Sequence, residues 1–127
     1  MTRKPETPPE SFRCPIVGMK YYPGALAIVT NLPVGTPLFA LAEPTNPHDP
    51  NAIQVWIETR HIPQVTLDRV PNSGRLASAS AWQLGHIARE FAAKLKMIGF
   101  PEDCEIAGTL QIGNDGGSRI TLTKTWS

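Results

Sequence analysis

The chain has 127 residues and a mass of 13.9 kDa, which suits one domain with an ordinary hydrophobic core. Ten Gly and thirteen Pro exclude a helical bundle or coiled coil, and twelve Lys and Arg against eleven Asp and Glu leave +1, which selects no partner by net charge. No apolar run reaches the about 18 residues of a membrane span, and MTRKPETPPESFR lacks the apolar centre of a signal peptide, so a cytoplasmic protein is expected, nucleoid-associated if bacterial.

Residues 1–13 are rich in Pro and charge and form a flexible lead-in to a single domain over 14–127. Cys14–Tyr22 is rich in β-formers and is expected as the first strand. Pro23-Gly24 marks a turn, and Ala25–Val29 is a short apolar run that fits strand or loop. Thr36–Ala42 is the next strand. Glu43–Asn51 holds three Pro in nine residues and forms a loop, fixed by the Asx turns that its Asn and Asp favour. Ala52–Glu58 is a strand with Ile53, Val55 and Ile57 on one face.

Residues 59–81 are an insertion that carries much of the basic charge, with Val65–Val70 structured inside it and a helical turn at Arg75–Trp82. Charge runs +2, −3, +4 and −2 across residues 1–20, 21–59, 60–96 and 97–127. Trp82–Ile87 is a short strand leading into a helix at about 88–98. Ile87, Phe91, Leu95 and Ile98 share one stripe, Glu90 pairs with Lys94, and Gly99 and Pro101 stop the helix. A helix capped by Ser80 and Gln83 is the alternative, with Gly85 against it. Cys104–Ile112 and Arg119–Trp126 are strands joined by the hairpin turn Asn114-Asp115-Gly116-Gly117. Six short strands and one firm helix predict a mainly β fold, a small barrel with a flanking helix; a flat α+β sandwich is the alternative.

Little in the composition points to catalysis. Cys14 and Cys104 stand 90 positions apart and are expected as reduced core thiols. His48, His61 and His86 have no metal-ligand spacing, and no phosphate loop, G-x-S-x-G or nucleophile beside a base is present. Neither cofactor, metal nor enzyme activity is expected.

Three stretches do resemble one family. Val17-Gly18-Met19-Lys20-Tyr21-Tyr22-Pro23-Gly24 resembles the V-G-x-R-Y-Y-x-G opening of the HIRAN domain. Glu43-Pro44-Thr45-Asn46-Pro47-His48-Asp49-Pro50-Asn51-Ala52-Ile53 is similar to its E-P-x-N-P-Y-D-x-N-A-I loop and strand, the most specific of the three. Leu84-Gly85-His86-Ile87-Ala88-Arg89-Glu90-Phe91-Ala92 resembles the V/I-G-H/Y-L-x-K/R-E-x-A stretch that follows. The resemblance implies an OB-like six-stranded antiparallel barrel, of the kind found in DNA-repair helicase relatives and as stand-alone proteins. It implies binding of the 3′ end of single-stranded DNA. On that basis Tyr21 and Tyr22 supply base stacking, Tyr21 above all. Asp49 accepts a hydrogen bond from the terminal 3′-hydroxyl, supported by Asn46, while Lys20, His86 and Arg89 hold the terminal phosphates. Lys20 stands where the family has Arg and keeps the charge without the fork. His48 stands where it has Tyr, a smaller stacking face.

The residues carry that chemistry in their own right. Single strands are held by exposed aromatic faces beside cations, and a carboxylate among phosphates is best used on a terminal hydroxyl. Adjacent tyrosines on a strand point to opposite faces, so one stacks outward and the other enters the core. Asp49 also fits a plain Asx turn, His86 a satisfied core histidine, Arg89 a solvated helix face, and Trp56, Trp82 and Trp126 core fillers. The expected function is a non-catalytic module that recognises single-stranded DNA ends. The alternative is a protein-interaction subunit of a helicase, nuclease or effector complex, docking through residues 59–81.

Overall fold

The computed structural model describes residues 10–70 and 80–126. Six antiparallel strands close into a barrel: β1 Ser11–Val17, β2 Pro37–Ala42, β3 Ile53–Glu58, β4 Ala81–Ile87, β5 Ile106–Ile112 and β6 Ser118–Thr123. Their order around the barrel is β1-β4-β3-β2-β5-β6, so the expected mainly β barrel is correct. Closure removes the sheet edges that would otherwise template aggregation. Inward-facing apolar side chains of these strands fill the interior. Ile53, Val55, Ile57, Leu84, Leu110, Ile120 and Leu122 are all fully buried, as period-two patterning demands.

Among the described residues three α-helices accompany the strands: α1 Ala25–Thr30, α2 Gln64–Leu67 and α3 Arg89–Met97. The apolar run read as strand or loop is therefore a helix, which puts Ala25, Ile28 and Val29, at i, i+3 and i+4, on one buried face. The first strand also differs from expectation. It begins at Ser11, where it pairs with Thr123 of β6, and it ends at Val17 because Gly18 takes φ 81° and turns the chain. Met19–Tyr21 then form a turn of 3-10 helix, so the two tyrosines lie beyond the strand.

Ile62, Val70 and the partly buried Leu67 belong to the core cluster, which ties the start of the 59–81 segment to the barrel. Residues 71–79 lie outside the described residues, and with them most of the helical turn expected at Arg75–Trp82; Ala81 and Trp82 open β4 instead. Glu90 makes no pair with Lys94, whose ammonium lies 5.5 Å from the Phe91 ring. The helix stop holds: Gly99 takes φ 86° and the Phe100 N–H donates to the Leu95 carbonyl at 3.0 Å. Trp56 and Trp82 are buried, and Trp126 packs on Phe12 and Phe100.

Both cysteines are free. Cys14 faces inward from β1, and burial pushes its thiol up to about 11. Cys104 is exposed rather than in the core, since it lies in the bend before β5.

Gly85 fixes how β1 meets β4. Its φ is +153°, and a Cβ there would run into the Val17 carbonyl oxygen. Only glycine lets β1 come this close. The crossing puts Val17 opposite His86, and Gln54 of β3 opposite the other side of His86.

Candidate nucleic-acid interface

The Glu43–Asn51 loop is built by its own side chains. Asn46 Oδ1 accepts the backbone N–H groups of His48 at 2.8 Å and Asp49 at 3.0 Å, while Asn46 Nδ2 donates to Glu43 Oε1 at 2.7 Å. Asp49 Oδ1 accepts the N–H of Asn51 at 2.9 Å. Both are Asx turns of the kind the composition favours. Asp49 serves the turn with one oxygen only. Its Oδ2 faces Arg89 Nε at 3.9 Å, beyond hydrogen-bond length.

Arg89 opens α3 with its side chain 80% exposed, whereas Asp49 is 19% exposed. Between the loop, the end of β1 and the start of α3 lies an open groove of about 230 Å3, lined by Asn46, His48, Asp49, His86, Arg89 and the apolar Val17, Ala52 and Ile87. Five of the eight expected site residues thus meet in one groove. Lys20, Tyr21 and Tyr22 sit in the turn just past Val17. Tyr21 is 73% exposed, and the Lys20 ammonium lies 5.1 Å from its ring centre, a cation–π pair. Tyr22 packs partly against the core, so one ring faces out and the other in, although no strand alternation sets them.

Beneath the groove runs a polar network that fixes His86. Its Nδ1 lies 3.1 Å from the Tyr22 hydroxyl and its Nε2 3.3 Å from Glu43 Oε2. Gln83 Nε2 donates to the Tyr22 oxygen at 3.1 Å. Gln54 donates to the same Glu43 oxygen and accepts from Trp56 Nε1 at 2.8 Å. An ionised carboxylate can only accept, so the neutral imidazole carries its proton on Nε2 and Nδ1 accepts from Tyr22. Every member then has a partner of the right kind. With both ring nitrogens hydrogen-bonded, His86 fits the satisfied-histidine reading, while Lys20 lies over the Tyr21 ring and Arg89 faces Asp49.

Burial alone would push the Glu43 carboxyl up, but hydrogen bonds from Gln54, Asn46 and His86 outweigh it and hold the group below its ordinary value. Burial, with the Glu43 charge second, pushes the Tyr22 phenol up. Glu43 is thus the junction of the site. It links the loop through Asn46, β3 through Gln54 and β4 through His86. Residue type and spacing alone give it no role, although it opens the E-P-x-N-P stretch. No sequence signal marks Gln54 or Gln83 for this site, since their part in it rests on cross-strand register.

A family model described as the HIRAN domain matches residues 9–124. The chain belongs to the HIRAN domain family. Membership makes it, at the coarse level, a DNA-binding module. No curated protein matches the chain. Among solved structures it is similar to a structural genomics crystal structure of a protein from Lactobacillus plantarum, at 22% identity, with 87% of each chain covered and a TM-score of 0.53. At that identity the likeness concerns the fold. Among the described residues no helix is long and apolar enough to cross a membrane.

Proposed function

We propose that this HIRAN domain recognises the 3′-hydroxyl end of single-stranded DNA without catalysing a reaction on it. The observation that carries the reading is the Asp49–Arg89 pair at the mouth of the groove. Asp49 holds one oxygen in the loop and offers the other, and Arg89 waits 3.9 Å away, largely in solvent. A terminal nucleotide offers a hydroxyl donor for the acceptor and a phosphodiester for the cation. A hydroxyl alone would leave Arg89 unused, and an internal phosphate alone would be repelled by Asp49.

Tyr21 gives an exposed ring at the lip for base stacking, with Lys20 beside it for phosphate, and His48 gives a second ring on the loop. Asn46 and His86 act from below. Asn46 spends its side chain on the loop, and His86 is held between Tyr22 and Glu43. A role in DNA repair as an accessory subunit agrees with this binding activity.

The test compares single-stranded, duplex and 3′-blocked oligonucleotides by fluorescence anisotropy across a salt series. The reading predicts preference for the single strand with a free 3′ end, and weakening as salt rises, with a log–log slope near 0.7 for each phosphate contacted, roughly. Equal binding of duplex would contradict end recognition, and a flat salt series would contradict phosphate binding and favour a protein-interaction subunit.

A further inference from the structure

We infer that the pocket between β1 and α3 is a second site, which takes an apolar side chain from an acidic segment of a partner protein. The pocket encloses about 300 Å3 and shares no lining residue with the groove, so both can be filled at once. Its size lies at the lower end for ligand pockets. Cys14, at 1% exposure, is the most buried part of the lining, and Phe12, Phe91, Leu95 and Ile98 supply the apolar walls.

Two cations border this apolar space. Arg13 donates to the Ile112 carbonyl at 2.9 Å, a neutral acceptor, and Lys94 lies 5.5 Å from the Phe91 ring. Neither has a carboxylate partner among the described residues. Alongside, Met97 is 85% exposed and Ile98 39%. Met97 stands three residues after Lys94, hence next to it on the helix surface, and its thioether adapts to varied partners.

The chemistry selects among occupants. A nucleobase would bring polar edge atoms against the phenyl, aliphatic and thiol walls, and burying a polar group without a hydrogen bond is unfavourable. A leucine or phenylalanine side chain has no such edge. Carboxylates beside it would meet Arg13 and Lys94. The chain's own opening, MTRKPETPP, has two bases, one acid and one large apolar residue, which mismatches a cationic rim. An acidic partner segment with an apolar anchor matches both features.

The test is a residue-resolved NMR titration of the full chain with three probes. They are a four-residue peptide with three acidic residues before a phenylalanine, its counterpart with three basic residues, and an eight-nucleotide oligothymidylate. The acidic peptide is expected to shift the signals of Phe91, Leu95 and Ile98 and to bind at least tenfold tighter than the basic one. Lys94→Glu, at an exposed position that keeps the fold, should abolish that preference. The inference is overturned if the acidic peptide leaves these signals unmoved or binds no better than the basic one. It is equally overturned if the preference survives Lys94→Glu, or if the oligothymidylate moves the same signals as strongly.

Discussion

Replacing Glu43 by Gln changes shape very little and reverses half of the hydrogen-bonding character. The carboxylate accepts from Asn46 at 2.7 Å on one oxygen, and from Gln54 and from His86 at 3.3 Å on the other. An amide has one acceptor oxygen. Turned toward Gln54 and His86, it sets its NH2 against that of Asn46; turned toward Asn46, it faces the other two donors. In its better orientation it sacrifices the link to the loop. Hydrogen bonds to a charged group are worth about 1.5–3 kcal/mol, and Glu43 is only 25% exposed, so Glu43→Gln should cost about 1.5–3 kcal/mol at pH 7. The folded-state pKa lies below the ordinary 4.5, so this stability is fully present above 4.5 and is lost as pH falls through the lowered value. Urea unfolding of both proteins from neutral pH down to about pH 3 reads the gap directly. The gap should be full at neutral pH and narrow in acid. A difference below about 0.5 kcal/mol at pH 7, or one that does not narrow in acid, would refute the network as the support of the site.

Tyr21→Ala should lower single-strand affinity by about 1–3 kcal/mol while leaving the melting curve in place, because the ring is 73% exposed; anisotropy and thermal unfolding read both. Arg89→Ala and Lys20→Ala should each reduce the salt slope of binding by about one unit or less; an unchanged slope would remove that cation from the phosphate contacts. Gly85→Ala should destabilise the domain by about 1–3 kcal/mol or more through positive-φ strain and collision with the Val17 carbonyl, seen as a clear drop in Tm. An unshifted Tm would mean β1 and β4 can part without loss.

Strands were legible where a run of β-formers lies between turn signals: Ile53, Val55 and Ile57 alternate and point inward, and the Asn114–Gly117 hairpin carries its turn chemistry locally. Ala25–Thr30 was not, since a six-residue helix shows too few periods to separate it from a buried strand. Propensity alone carries the first strand on through Tyr21 and Tyr22, because it ignores the left-handed glycine that ends it. In the site, the loop's Asx turns and the helix start at Arg89 follow from local residue types. The Gln83–Tyr22–His86–Glu43–Gln54 chain does not. It joins the turn after β1, the loop, β3 and β4, and depends on a register that only the closed barrel sets.

On the proposed reading Asp49 accepts a hydrogen bond from a terminal hydroxyl, and a 3′-phosphate replaces that donor without altering the rest of the strand. Two single strands of one sequence, ending in a 3′-hydroxyl and a 3′-phosphate, are compared by fluorescence anisotropy against the native chain and Asp49→Asn. A phosphate removes the donor and sets like charges together at a partly desolvated oxygen, so the native chain should bind it worse by more than about 1.4 kcal/mol, or tenfold. Asn carries no charge and can donate to phosphate, so Asp49→Asn should narrow that gap, and a 5′-phosphate should change little. Equal affinity of the native chain for the two 3′ ends would contradict end recognition.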